Sequence, residues 1–99
     1  MLIEPEKQDE KLTLRLSGRL ETSTAPMLQE AVEKIQPDVM ELRMDMEGLE
    51  YVSSAGLRVL LAAMKKMKKK EGTMVVCHVN AGIMEVFEIT GFKKMLNIQ

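Results

Sequence analysis

The stretch MELRMDMEGLEYVSSAGLRVLLAAM, Met40–Met64, decides how the rest of the chain is read. Met40, Leu42, Met44 and Met46 alternate with Glu41, Arg43 and Asp45, the period-two pattern of a strand with one wet face. Gly48 then reads as a turn. From Leu57 the period changes: Leu57, Leu60, Leu61 and Met64 fall at the spacing of one helix face. Ser53 or Ser54 stands where an N-cap belongs. The helix runs into a lysine-rich turn, Lys65 to Lys70, whose cations suit a helix C-terminus, and Gly72 stops it. A strand feeding a helix needs a second parallel strand to complete a right-handed βαβ unit.

The flanking sequence supplies such strands. Leu12, Leu14 and Leu16 alternate with Thr13, Arg15 and Ser17, a second half-wet strand. Leu2 and Ile3 suggest a short strand before it, which Pro5 confines to a sheet edge, with Gln8-Asp9-Glu10 as the hairpin turn. Leu28, Ala31, Val32 and Ile35 give a helix face, with Ser23 or Thr24 as cap, Pro26 in the first turn and Pro37 as the stop. Met74 to Val79 is a nearly continuous apolar run, a strand covered on both faces that holds Cys77 and His78. Asn80 caps a third helix bearing Ile83, Val86 and Phe87, Gly91 ends it, and Met95 to Ile98 reads as a last strand. The predicted order is β-β-α-β-α-β-α-β. This is an α/β fold with a mostly parallel sheet of four to five strands and helices mainly packed on one face.

Composition narrows the function classes. A chain of 99 residues predicts one domain, 1–99. A net charge of −1 provides no field for nucleic acid or an anionic membrane. No apolar run approaches the ~20 residues that span a bilayer, and the N-terminus MLIEPEKQ is not a secretory signal. Cys77 is alone, so the expected location is cytoplasmic. The 10 methionines, with no Trp, read as core packing rather than a binding face.

In a parallel sheet every strand-to-helix loop emerges at one edge, where ligands of such folds sit. Gly18 to Ser23, Glu47 to Ser54 and Asn80 to Gly82 should therefore be neighbours. Glu21, Asp45, Glu47 and Glu50 would make that edge acidic. One serine of the Ser53-Ser54 pair suffices as a cap. The other would lie exposed at a helix N-terminus, where a phosphate is tolerated.

Other chemistries find less support. Val52-Ser53-Ser54-Ala55-Gly56 lacks the first Gly of a nucleophile elbow, and His78, the only histidine, is expected on a buried strand. Cys77 and His78, as strand neighbours, should face opposite sides and be unable to share a metal. Gly91-Phe92-Lys93-Lys94 lacks the upstream Gly of a P-loop, so no cofactor is expected on this chain and any ATP belongs to a partner. The lysine tract reads as a solvated helix face.

Ser53-Ser54-Ala55-Gly56-Leu57 resembles the Asp-Ser-Ser/Thr-Gly-Leu motif of the STAS family, specifically of bacterial anti-sigma factor antagonists. The likeness extends over the whole chain, through Leu16-Ser17-Gly18-Arg19-Leu20-Glu21-Thr22, Leu42-Arg43-Met44-Asp45 and Gly91-Phe92. Ser53 stands where the family has Asp, Ala55 where it has a second Ser or Thr, and Glu21 where it has Asp. The resemblance implies a STAS-like fold and a non-enzymatic switch. The unphosphorylated protein would bind an anti-sigma factor that is also a serine kinase, and so free the sigma factor. Phosphorylation at Ser54 would release it, and a phosphatase would reset it. The partner contact would comprise Glu21, Thr22, Ser53, Ser54, Gly56, Leu57 and Arg58. The alternative is a STAS scaffold that binds its partner constitutively, with Ser54 only capping.

Overall fold

The period-two leucines near the N-terminus form a hairpin in the computed structural model, which describes residues 1–99. Strands β1 (Leu2–Gln8) and β2 (Lys11–Leu20) pair antiparallel across a two-residue turn, with Asp9 at φ 55°. Helix α1 (Ala25–Glu33), strand β3 (Glu41–Val52), helix α2 (Ser54–Lys69), strand β4 (Thr73–Cys77) and helix α3 (Ala81–Thr90) follow, then a short 3-10 turn at Phe92–Lys94. The sheet order is β1-β2-β3-β4, with β2-β3 and β3-β4 parallel. The sheet is therefore mixed and mostly parallel. β1, which carries Pro5, lies at the edge as Pro requires. The expected strand over Met95 to Ile98 is reduced to one bridge, Val76 to Ile98.

Leu12, Leu14 and Leu16 of β2, Leu42, Met44 and Met46 of β3, and Met74 and Val76 of β4 join residues of all three helices in one cluster of 24 buried side chains. Met44, Met46, Met67 and Met74 belong to it, so these methionines are packing residues. The opposite sheet face carries Thr13, Arg15, Ser17, Arg43 and Asp45, in accord with the alternation.

The expected turn at Gly48 does not exist. β3 runs straight through it to Val52. Between Arg15 and Ser17 the parallel register advances from Asp45 to Gly48, and between Gly18 and Arg19 from Leu49 to Tyr51. Each step leaves one extra residue on β3, a β-bulge. The buried positions consequently pass from Met46 to Leu49 to Val52 at three-residue steps, which hides the strand from a period-two reading. Gly48 serves a close approach instead: a Cβ there would stand 2.7 Å from Cβ of Ser17.

The lysine tract is also not merely solvated. Lys66 Nζ donates to the carbonyls of Val32 (2.8 Å) and Glu33 (3.3 Å), and Lys70 Nζ to that of Gln36 (3.4 Å). The end of α2 thus adds cationic donors to the Val32 and Gln36 carbonyls, which also accept from the Ile35 and Val39 N–H groups, and to the Glu33 carbonyl at the C-terminus of α1.

Gly56 sets how closely α2 approaches the end of β2. A Cβ there would lie 2.6 Å from Leu20 Cγ and 3.1 Å from the Leu20 carbonyl oxygen. Gly56→Ala should therefore destabilise the protein by about 1–3 kcal/mol, despite alanine's better helix propensity. Urea unfolding measures this, and a neutral or stabilising effect would contradict the packing described.

Candidate functional site

The C-terminal ends of β2 and β3 lie side by side, Leu20 against Val52, and the Ser53 N–H donates to the Leu20 carbonyl at 2.9 Å. This places the start of α2 beside the 21–24 turn. The Thr24 hydroxyl orders that turn, donating to the Arg19 carbonyl at 2.7 Å and accepting from the Glu21 N–H at 2.9 Å. Arg19 extends over the rim, 3.2 Å from Glu21 and 4.4 Å from the centroid of the Tyr51 ring. Arg19, Glu21, Thr22, Ser23, Tyr51 and Ser53 line one shallow depression. A second runs between α1 and α2 and includes Thr22, Pro26, Ala55 and Arg58.

The two serines divide the work at the start of α2. Ser53 is the N-cap, in extended conformation at φ −97° and ψ 175°, and its Oγ accepts from the Gly56 N–H at 3.4 Å. Ser54 is the first helical residue and is exposed. No acidic side chain occupies the first turn of α2, so the partial positive charge of the helix start is uncompensated there. Arg58 is exposed one turn further on.

Of the remaining residues expected at a contact surface, Thr22 is exposed and Glu21 half-buried. Gly56 and Leu57 are buried, Leu57 at 4% exposure, so they pack the helix onto the sheet and present no side chain to a partner. Arg19 joins the rim from the Gly18–Ser23 loop expected at this edge, and Tyr51 joins it although the sequence reading gave that residue no role. An exposed aromatic preceding the serine pair was the available signal.

The expected acidic edge is dispersed by the length of β3. Asp45 lies seven residues before Val52, about 20 Å back along an extended strand, on the open sheet face. His78 is there too, and its place overturns the sequence expectation. β4 ends at Cys77, and His78 follows at φ 57° with its side chain 60% exposed. Its Nδ1 lies 3.0 Å from Asp45 Oδ1. The left-handed residue cancels strand alternation, so Cys77 and His78 do not diverge. Donor atoms of Asp45, Cys77 and His78 all lie within 4.8 Å of one another. His78, the one histidine of the chain, thus pairs with Asp45 on the sheet and not with Ser54.

Burial pushes the Asp45 carboxyl up, but the Glu47 N–H, His78 and Arg15 outweigh it and hold the group below the usual carboxylate range. A carboxyl with a lowered native pKa stabilises the fold above its unfolded pKa and loses that contribution as pH falls through the native value. The stability difference between wild type and Asp45→Asn should accordingly be largest near neutrality and shrink below about pH 4. Urea unfolding across pH checks this.

The serines yield a separate prediction. Ser53→Ala should cost about 0.5–1 kcal/mol through the lost cap, whereas Ser54→Ala should leave thermal stability almost unchanged. Equal losses in the two variants would assign the cap wrongly.

The STAS domain family profile matches residues 3–99. The chain is 33% identical over 93 residues to BtrV of Bordetella bronchiseptica, assigned as an anti-sigma factor antagonist, covering 93% of this chain and 80% of that protein. An anti-sigma factor antagonist from Mycobacterium paratuberculosis has a similar structure, with a TM-score of 0.87 and 24% identity over 98% of this chain and 83% of that one. The antagonist SpoIIAA is similar in its unphosphorylated form, with a TM-score of 0.78, 17% identity and coverage of 99% and 87%. Its phosphorylated form, from Bacillus, gives 0.77 and 18% identity, with coverage of 99% and 91%. No helix is long and apolar enough to cross a membrane.

Proposed function

This chain belongs to the STAS domain family, and from that premise we propose that it is an anti-sigma factor antagonist switched by phosphorylation of Ser54. In its unphosphorylated form it docks on an anti-sigma factor that is also a serine kinase, and a phosphatase restores that form. ATP belongs to the kinase, this chain acts by binding rather than turnover, and the exchange takes place in the cytoplasm.

The observation that carries this reading is the division of labour between adjacent hydroxyls. Ser53 holds the cap, so Ser54 is free for modification without loss of the helix start. Ser53, standing where the family has Asp, thereby keeps a capping oxygen at that position. A phosphate on Ser54 would add roughly −1.5 to −2 charges. The helix start, with no acidic residue in its first turn, tolerates that charge. A closed interface does not, because a dianion stripped of water without a partner costs several kcal/mol. The penalty therefore falls on the complex and not on the fold.

The docking surface in this reading is the rim of Arg19, Glu21, Thr22, Tyr51, Ser53 and Ser54, extended by Arg58 into the groove between α1 and α2. Gly56 and Leu57 support it from beneath.

Incubation with anti-sigma factor kinases and ATP should add one phosphate, mapped by mass spectrometry to Ser54 and absent in Ser54→Ala. Ser54→Asp should weaken partner binding at least tenfold, equivalent to about 1.4 kcal/mol, while Ser54→Ala retains it. If Ser54→Asp binds as wild type does, the chain is a constitutive scaffold and the switch is wrong.

A further inference from the structure

Three donors of different chemistry converge on the open face of the sheet, away from Ser54. Asp45 and Cys77 are register partners across β3 and β4, and both are buried, at 8% and 5% exposure. His78 turns back toward them because its backbone is left-handed, a conformation uncommon for a residue with a side chain. We propose that Asp45, Cys77 and His78 form a binding site for a divalent transition-metal ion of the zinc class, with one position open to solvent.

The donor set selects the ion. A thiolate and an imidazole suit zinc and its borderline neighbours, and disfavour magnesium and calcium, which take oxygen ligands. Three protein ligands with an open fourth position is a familiar zinc arrangement. The spacing suits it as well. Two N/O ligands on a tetrahedral zinc, at bonds of about 2.0–2.1 Å, sit roughly 3.3 Å apart. His78 Nδ1 and Asp45 Oδ1 are 3.0 Å apart, and the Cys77 sulfur lies within 4.8 Å of both sites. Small rotamer shifts would replace one shared proton by one shared cation.

The surroundings orient the carboxylate. The Glu47 N–H donates to Asp45 Oδ1 at 3.0 Å, the kind of outer hydrogen bond that holds metal ligands in place. Arg15 Nε lies 4.0 Å from the other oxygen, Oδ2, and also pairs with Glu6 at 2.9 Å, so its charge is engaged away from Oδ1. The exposed His78 side chain leaves a route from solvent. On binding, the Cys77 thiol releases its proton to water and its sulfur bonds the metal as thiolate, with no change of oxidation state.

The test uses the untagged chain, kept reduced and titrated with cobalt(II) as a spectroscopic stand-in, then displaced by zinc. One equivalent should produce a thiolate-to-cobalt charge-transfer band, which Cys77→Ser abolishes. His78→Ala, a change at an exposed position, should weaken binding at least tenfold with the far-UV circular dichroism unchanged. Zinc should raise the melting temperature of the wild type and not of Cys77→Ser. Absence of the charge-transfer band, or wild-type affinity in His78→Ala, would overturn the site.

Discussion

The parallel pairing of β2 with β3 is the constraint on which the rest depends. β3 is central, with β2 on one side and β4 on the other. It is two residues longer than β2 over their shared span, and two bulges absorb the excess. This lets Leu49 and Val52 reach the core after Met46 and still brings β2 and β3 to a common end at Leu20 and Val52. Without the first bulge Leu49 would turn to solvent, because a one-residue slip exchanges the faces of a strand, and the second bulge restores Val52 to the core face. The start of α2 would then lose its place beside the 21–24 turn.

From that common end the rim follows directly. The Leu20 carbonyl accepts the Ser53 N–H, Gly56 lets α2 settle against Leu20, and Ser53 closes the cap. Each of these contacts uses a neighbour of Ser54 and leaves Ser54 itself outward. A residue that holds nothing in place can change its charge without disturbing the fold, which is what a switch by modification needs. At the far end of α2, Lys66 and Lys70 tie the helix to α1, so the groove between the two helices has a fixed floor.

The two sheet faces separate two kinds of chemistry. One face lies under the helices and is apolar throughout. The other retains Arg15, Arg43 and Asp45, and at its β4 side gathers Asp45, Cys77 and His78. Much of the first arrangement was legible in the residues. The alternating leucines of β2, the edge proline of β1, the helix spacing from Leu57 and the Asn80 cap, which accepts from the Ile83 N–H at 2.9 Å, all fold as their local patterns dictate. That one serine of the Ser53-Ser54 pair would be left exposed was legible too, since one is enough for the cap, but not which of the two. Three readings failed for a shared reason. The turn at Gly48, the burial of His78 and the divergence of Cys77 from His78 each assume that strand alternation runs unbroken or stops at a glycine. Bulges and a left-handed residue violate that assumption without any mark in composition.

Period, caps and charge are properties of residues close in sequence. By themselves they determined the class of fold, the order of its elements, the apolar face of each helix and the residue pair at the start of α2. Register and backbone handedness depend on what the neighbouring strand demands. Only the tertiary structure could therefore decide that β3 continues to Val52, that Ser53 caps while Ser54 stays free, that Gly56 and Leu57 face inward, and that Asp45, Cys77 and His78 meet.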